Sequence, residues 1–183
     1  MEYKMKKLIL GSAILAVLGV ASNAMAAPNT GTVNFTGSVS TATCEFSVKD
    51  SAGGNMTNVN LGTLSTAATG NGTPVVFKLV PADNACLAKT SANVSWSSPT
   101  LNASGIANSA AGGTNAYLQV SATNATQTTT AALIKQGQTS FDYTNAKGLA
   151  SFDYSAVLTK PAAGTTMTAG PFNASASYVV TYK

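Results

Sequence analysis

Three observations predict an all-β sandwich for this chain of 183 residues. Apolar residues alternate with small polar ones over short runs, which is the pattern of a strand with one buried face. Stretches rich in Gly, Ser and Asn separate those runs and are typical of turns. The chain is 45% apolar and only 9% charged, so a single domain of this length has enough apolar side chains for a core.

The first 26 residues have the three parts of an export signal. Three lysines precede an apolar run at residues 8–20, and Ala24, Met25 and Ala26 form a small-x-small cleavage site. The run is shorter than the roughly 20 apolar residues that span a bilayer. The sequence therefore predicts an exported protein from which residues 1–26 are removed, and removal lowers the formal net charge from +4 to +2.

Charge and composition exclude several classes of function. Arginine is absent and the lysines are scattered, so we expect no nucleic-acid partner and no membrane-binding surface. Histidine is also absent, which removes the Ser-His-Asp and Cys-His sites, and we expect no enzyme, cofactor or metal. A carboxylate pair of Asp142 and Asp153 is conceivable for glycoside cleavage, but charges on the solvent side of strands explain both residues better.

The first strand of the exported chain follows the cleavage site closely. Val33, Phe35 and Val39 alternate with polar residues, and Gly37 stands in phase with them. Two interpretations remain open for this stretch. It is an ordinary first strand of its own domain, or it is an arm that leaves the domain and completes a neighbour. On the second interpretation residues 27–41 form the arm and residues 42–183 the domain.

Two cysteines, Cys44 and Cys86, remain after cleavage. An exported chain with two cysteines most simply forms one disulfide, and closing that loop would stabilise the fold by about 4 kcal/mol on a chain-entropy argument. The alternatives are two free thiols or a metal pair, and two cysteines without histidine make a poor metal site.

The rest of the chain is predicted to be strands and loops, with no helix of ordinary length. Turn-forming residues occupy 50–55 and a long loop occupies 102–114, while residues 133–143 are ambiguous and could hold one arm of a hairpin. Trp96 shares the apolar phase of its strand, which favours a place in the core over a ligand platform. The predicted strands of the body cover residues 43–48, 59–64, 75–80, 92–96, 117–122 and 149–160.

The last strand has the cleanest alternation. It runs from Phe172 to Tyr182, one residue before the end of the chain, with aromatic, Ala and Val residues on one face. Chain ends fray unless they are tied into a sheet. We therefore expect this strand to be paired along its full length.

Taken together, the two ends of the chain resemble the pilin subunits of chaperone–usher fimbriae of the type-1-like family. The alternating arm with its in-phase glycine leads straight to Cys44, and Cys86 follows the second main strand. Tyr182 is penultimate, and Gly170 is fourteenth from the C-terminus when Lys183 is counted as first. The segments NTGTVNF and CLAKT are most similar to major shaft subunits of enterotoxigenic fimbriae.

This resemblance implies an immunoglobulin-like sandwich that lacks its last strand. In the family a periplasmic chaperone lends a strand to the open groove, and at the outer-membrane usher the arm of the next subunit replaces it. The resemblance makes Val33, Phe35, Gly37 and Val39 the donor strand, with exchange beginning at the Gly37 site. Each of the three larger side chains would gain roughly 1.5–3 kcal/mol on burial.

The resemblance also implies residues for the chaperone and for the groove edge. These are Gly170, Tyr178, Val180 and Tyr182, together with Lys183, whose carboxylate would lie in a basic cleft of the chaperone. A subunit with both a donor arm and a groove polymerises head to tail with identical or related subunits and gives a filament on the cell surface. We therefore expect a structural fimbrial subunit that supports adhesion to host cells.

The alternative function is a glycan-binding adhesin module that acts through the subunit surface. Lys160, or Lys135 with Lys147, could pair with an anionic host-cell sugar. Isolated lysines are more often solvated surface residues, which favours the structural role.

Overall fold

The computed structural model describes residues 44–183 and the backbone of residues 31–37. The predicted export signal, its cleavage site and Val39 lie outside the described residues. In the part of the chain that is described, no helix is long and apolar enough to cross a membrane.

Ten strands account for the described fold, with one four-residue α-helix and one 3-10 helix, Thr129–Ala132. The elements in chain order are β1 Gly31–Gly37, β2 Phe46–Asp50, β3 Asn58–Asn60, β4 Val75–Pro81, α1 Asn84–Leu87, β5 Ser91–Ser97, β6 Ile106–Ala107, β7 Tyr117–Ala122, β8 Ser140–Thr144, β9 Phe152–Thr159 and β10 Phe172–Tyr182.

The strands form two five-stranded sheets that face each other. The order in the first sheet is β3-β1-β10-β5-β8, and in the second it is β2-β4-β9-β7-β6. Neighbours along the chain are often in different sheets, as in the crossings from β4 to β5 and from β9 to β10. This is a sandwich, and it confirms the all-β prediction.

Alternation of apolar and polar residues explains which face of each strand is buried. In β10 the side chains of Phe172, Ala174, Ala176, Tyr178 and Val180 are buried, whereas the residues between them face outward. The same alternation buries four side chains of β9 and three of β5 against them, Trp96 included. The core therefore lies between the two sheets, where the strand period of two directs every second side chain.

Two local features differ from the sequence predictions, and a third settles a stretch that the sequence left ambiguous. The loop at 102–114 contains the two-residue strand β6, and the turn with Cys86 is one turn of helix. In the ambiguous stretch only Ser140–Thr144 forms a strand, because the residues before it make a tight turn in which Lys135 and Gln138 pair. Each of these elements is short and is fixed by neighbours distant in sequence, so no periodic pattern marks it.

Candidate strand-pairing site

β10 pairs with a different strand on each of its edges, and the edge that pairs with β1 is the site. Its second half, residues 177–182, pairs with β5 in an antiparallel ladder. On its other edge, residues 172–178 pair with β1. β1 therefore fills the place between β10 and the short strand β3.

The backbone register of β1 is parallel to β10. Gly31 lies opposite Phe172, Val33 opposite Ala174, Phe35 opposite Ala176 and Gly37 opposite Tyr178. On the other side only residues 32–34 pair with β3. The structure thus places β1, the described part of the predicted arm, in the sheet of its own domain, where β10 pairs with all seven of its residues and β3 with three.

The buried side chains of β10 along this ladder are small in the middle and aromatic at the ends. Ala174 and Ala176 lie opposite the central residues of β1, between Phe172 at one end and Tyr178 at the other. Two alanines occupy less of the core side of the sheet than the aromatic residues at the ends do. A strand at this position therefore completes the first sheet and covers the apolar side of the sandwich.

Beyond Gly37, an aromatic cluster surrounds the last residues of β10. The ring of Phe46 lies 6.2 Å from that of Tyr178 and 6.4 Å from that of Tyr182, and the Phe46 and Tyr182 rings are stacked. Burial raises the pKa of Tyr182 to about 12, and its hydroxyl has no hydrogen-bond partner among the described residues. Phe46 was not singled out in the sequence, although it stands two positions after Cys44.

The two cysteines form the predicted disulfide. Cys44 and Cys86 are both buried, with their Cα atoms 6.1 Å apart. The backbone next to them is fixed as well, since the amide of Ala82 donates to the carbonyl oxygen of Glu45 at 2.8 Å. The start of β2 is therefore a rigid attachment point for the preceding arm.

At the other end of the site, Gly170 is required by a close approach of two backbones. Its φ is +153°, and a Cβ there would lie 2.8 Å from the carbonyl oxygen of Gly112. Only glycine meets both conditions without strain. Next to it a cavity of about 10 Å³, roughly one water molecule in size, is lined by Leu64, Thr114, Ala116, Leu158, Met167, Gly170 and Phe172.

Asn108 fixes this end of β10 where β5 does not reach it. Its Nδ2 donates to the carbonyl oxygens of Thr114 and Pro171, each at 2.8 Å, and its Oδ1 accepts from the amides of Ala110 and Asn173. The side chain thus replaces the ladder that a neighbouring strand would supply. Sequence reasoning missed it, because an asparagine in a loop rich in Gly, Ala, Ser and Asn carries no distinguishing signal.

The last residue of the chain is tied down by a polar network on the outer face of the first sheet. Lys183 Nζ lies 2.8 Å from Asp142 Oδ1, which also accepts from Asn93 Nδ2 at 3.1 Å. The hydrogen bond from Lys183, with that from Asn93, lowers the pKa of the Asp142 carboxyl. The backbone amide of Lys183 donates to the carbonyl oxygen of Ser91, so β10 is paired to its end, as predicted.

The residues predicted for the chaperone edge do not all lie within the β1–β10 ladder. Tyr178 stands at one end of the β1–β10 ladder, and Gly170 lies two residues before its other end at Phe172. Val180 and Tyr182 lie on β10 beyond the residue that pairs with Gly37. Tyr178 and Val180 are each only 6% exposed, so both belong to the core as well as to the strand that forms the edge.

The lysines suggested for glycan contact lie on separate loops or strand ends. Lys160 Nζ donates to the carbonyl oxygen of Ala68 at 2.7 Å, Lys135 belongs to a tight turn, and Lys147 is exposed in another turn. None of the three lines either of two polar surface cavities, of about 300 Å³ and 180 Å³. Nothing in the described residues brings them together into one binding site.

The acidic residues do not form a catalytic pair. Asp142 lies on β8 of the first sheet and Asp153 on β9 of the second, and both occupy outward positions. Asp153 faces Lys78 Nζ at 3.6 Å. The described part of the chain also contains no group of three His, Cys, Asp or Glu residues placed to hold a metal ion.

Comparison with known proteins agrees with this geometry. The chain is 39% identical to the K99 fimbrial protein of Escherichia coli over 188 aligned positions, which cover 97% of this chain and 99% of that protein. Its fold is similar to the crystal structure of the P pilus rod subunit PapA, with a TM-score of 0.50 and 22% identity over 78% of this chain and 100% of that one. No family model matches the chain.

The incomplete immunoglobulin-like sandwich predicted from the sequence is the fold of that pilus subunit, and here β1 occupies the open position beside β10. The similarity to K99 extends over nearly the full length of both chains, and these relatives are structural proteins rather than enzymes. The chain therefore belongs to the family of fimbrial subunits and is a structural component of a bacterial surface fimbria.

Proposed function

We propose that the subunits polymerise head to tail, with residues 27–41 of one subunit filling the site beside β10 of the next. The observation that supports this is the pairing of β1, a strand from the chain's N-terminus, with residues 172–178 of β10. A strand that contributes through its backbone ladder can be replaced by the same strand of another copy, because main-chain hydrogen bonds are the same for both.

The other sheet edges support this choice of site. The outer edge of β8 is covered, since the amide of Thr126 donates to the carbonyl oxygen of Asp142 and Gln127 Oε1 accepts from the Asp142 amide. β2 is bordered by the returning chain through Met56, whose amide donates to the carbonyl oxygen of Val48. Covered edges resist pairing with other chains, so the edges of β8 and β2 are poor places for a donated strand, which supports the β10 groove as the position of exchange.

An open groove beside β10 must be paired with another strand until a neighbour's arm binds there. We assign this role to a periplasmic chaperone that pairs with β10, with handover at an outer-membrane usher. Tyr178, Val180 and Tyr182 would lie along the paired strand, and the carboxylate of Lys183 would bind a basic cleft of the chaperone. Under this proposal the subunit passes through the periplasm before it joins the fimbria.

Deletion of residues 27–40 tests the donor role. The shortened subunit retains β10 and its groove, so it should still be captured by the chaperone but should be absent from fibres seen by electron microscopy. A matched control replaces the same residues by a Gly/Ser segment of equal length, which retains the spacing and loses the apolar positions. Fibres that form normally without the arm would contradict the proposal.

Substitution of Val180 and Tyr182 by charged residues tests the role of β10 in chaperone capture. Both side chains pack inward, so the variant should aggregate or be degraded in the periplasm rather than accumulate. Val179→Lys is the control, because Val179 lies on the same strand, faces outward and is 38% exposed. Normal accumulation of the double variant would count against a chaperone contact at this strand.

A further inference from the structure

The edge of β10 that faces β5 is paired by a strand over only half of its length. β5 pairs with residues 177–182 and ends at Ser97, which lies opposite Ser177. Pro99 follows two positions later and carries no amide proton that could continue a ladder. Among the described strands, only β1 therefore pairs with residues 172–176, and it lies on the other edge.

Side chains and a loop take the place of a strand beside the first half of β10. Ser98 Oγ donates to the carbonyl oxygen of Ser175 at 2.7 Å. The amide and the hydroxyl of Ser109 both donate to the carbonyl oxygen of Asn173, at 2.8 Å and 2.9 Å. Asn108 Oδ1 accepts from the amide of Asn173 at 2.8 Å. These four hydrogen bonds hold two alternate residues of β10 where β5 does not reach.

The backbone groups that these bonds use all point away from β1. In a strand, the amide and carbonyl of one residue point to one edge and those of the next residue point to the opposite edge. Asn173 and Ser175 point to the β5 side, as does Lys183, whose amide donates to the carbonyl oxygen of Ser91. The residues between them, such as Ala174, therefore direct their backbone groups toward β1. The two edges of β10 are held by separate sets of bonds.

The side chains on the β5 side are fixed by parts of the fold other than β10. Thr100 lies two positions after Ser98, and its hydroxyl donates to the carbonyl oxygen of Ala107 at 2.8 Å, directly before Asn108. The amide of Ala107 donates back to the carbonyl oxygen of Thr100 at 2.9 Å. Asn108 Nδ2 also donates to the carbonyl oxygen of Thr114 at 2.8 Å. None of these contacts involves β1, so they remain when β1 leaves.

We propose that Ser98, Asn108 and Ser109 are positioning residues that keep the first half of β10 extended while the strand on its other edge is exchanged. This inference rests on the proposed exchange of arms and adds the residues that hold the accepting edge. Departure of β1 breaks none of their bonds, because these lie on the β5 side. An edge that is already extended loses less conformational entropy when a donated strand binds.

Amide hydrogen exchange in the purified mature monomer tests the proposal directly. Protection factors are measured by NMR for the amides of Asn173, Ala174 and Ala176. Local release of β1 exposes the amides of Ala174 and Ala176 but leaves that of Asn173 bonded to Asn108, so Asn173 should be protected at least about tenfold more strongly. Equal protection of the three amides would overturn the inference, because the first half of β10 would then open as a whole.

A double variant assigns this protection to the side chains. Ser98→Ala with Ser109→Ala removes two hydroxyl bonds to the backbone of β10 and leaves the amide of Ser109 in place. Ser95→Ala with Ser140→Ala is the matched control. Both control residues are exposed on the first sheet, and their hydroxyls donate to Asn93 Oδ1 rather than to β10.

Comparison of Asn173 with Val179 separates positioning from general stabilisation. Val179 lies on the same strand and is paired with β5. In the double variant the protection factor of Asn173 should fall about tenfold relative to that of Val179, and the control should keep the ratio of the unmodified chain. A general loss of stability would lower both factors together. A ratio in the double variant equal to that of the control would also contradict the inference.

Failure of the underlying exchange of arms is recognised separately, because the hydrogen-exchange measurement uses monomers and does not depend on fibres. Fibres that form when residues 27–40 are deleted would show that arms are not exchanged, whatever the protection of Asn173. If that deletion abolishes fibres while Asn173 is protected no better than Ala174, only the positioning role is wrong.

Discussion

Single side chains hydrogen-bond to backbone groups at the start of β10 that β5 does not pair with, and Asn108 is the clearest case. Its amide group makes four hydrogen bonds to backbone groups of residues 110, 114, 171 and 173. These bonds join the loop before β7 to the first residues of β10. The start of β10 is therefore held in part by a side chain that no strand pattern could have revealed, and Ser109 adds bonds to the carbonyl oxygen of Asn173.

Replacement of Asn108 by alanine should lower the free energy of unfolding by about 2 kcal/mol, because four backbone groups lose a partner and water replaces it only in part. The measurement is the urea midpoint of the mature monomer. Asn55→Ala is the control, since Asn55 is exposed just after the turn that follows β2. Equal midpoints for the two variants would show that the Asn108 bonds do not hold the fold.

Buried tyrosine hydroxyls make the protein sensitive to alkaline pH. Burial raises the pKa of Tyr143, Tyr154 and Tyr178, and raises that of Tyr182 to about 12. A pKa that is higher in the folded state than in the unfolded state gives stability that is complete below about pH 10 and is lost as the pH rises through the folded value. We expect unfolding between pH 10 and 12, with tyrosinate absorbance and near-UV circular dichroism changing together.

Tyr182→Phe isolates one of these groups. The hydroxyl of Tyr182 has no hydrogen-bond partner among the described residues, so its removal should change stability little at pH 7. At pH 11 an unfolded Tyr182 is ionised and a folded one is not, and this ionisation favours the unfolded state. The variant lacks the ionising hydroxyl, so it should be more stable than the unmodified chain at this pH. Identical stability of the two chains at pH 11 would contradict this.

At the scale of the elements, long alternating strands were predictable and short or side-chain-bonded features were not. β9 and β10 follow from the period of two, since burial of every second residue is possible only if the strand has one face on the core. α1, β6 and the covered edge of β8 depend on contacts with distant residues. The direction of β1 was equally hidden, because alternation is the same whichever way a strand runs.

The ion pair at the end of β10 leads to a prediction about stability at acid pH. The hydrogen bonds from Lys183 and Asn93 lower the pKa of the Asp142 carboxyl in the folded state. Its contribution to folding stability is therefore present above the unfolded pKa of about 3.9 and is lost as the pH falls through the lower, folded value. The ion pair is exposed, so Asp142→Asn should change stability by less than about 1 kcal/mol at pH 7 and not at all at pH 2. Urea midpoints at both pH values measure this, with Glu45→Gln as the control.

The whole molecule combines a rigid sandwich with one strand that is attached differently from the others. Sequence patterns were sufficient for the sandwich, the disulfide and the presence of a strand at Gly31–Gly37, and the resemblance of both chain ends pointed to the family. The location of the arm in its own sheet required the backbone register. The attachment point at Cys44 and Phe46 required the tertiary contacts, because stacking on Tyr182 joins residues at opposite ends of the chain.

Loss of the disulfide should affect the molecule as a whole. Replacement of Cys44 and Cys86 by serine opens a long loop and should destabilise the mature monomer by about 4 kcal/mol. It also releases the attachment point of the arm. Thermal unfolding of the variant, compared with the oxidised chain in the absence of reductant, measures the effect, and an unchanged melting temperature would be incompatible with this role.

Strand donation between subunits is the central claim, and one cross-linking measurement tests it most directly. Subunits with Asn34→Cys are mixed with subunits carrying Ser175→Cys, assembled and mildly oxidised, with Gln119→Cys on the second sheet as the control partner. Asn34 lies opposite Ser175 at the middle of the β1–β10 ladder, so donation predicts covalent dimers of one subunit of each kind with Ser175→Cys and none with Gln119→Cys. Assembled fibres that give no cross-link between Asn34→Cys and Ser175→Cys subunits would contradict the claim.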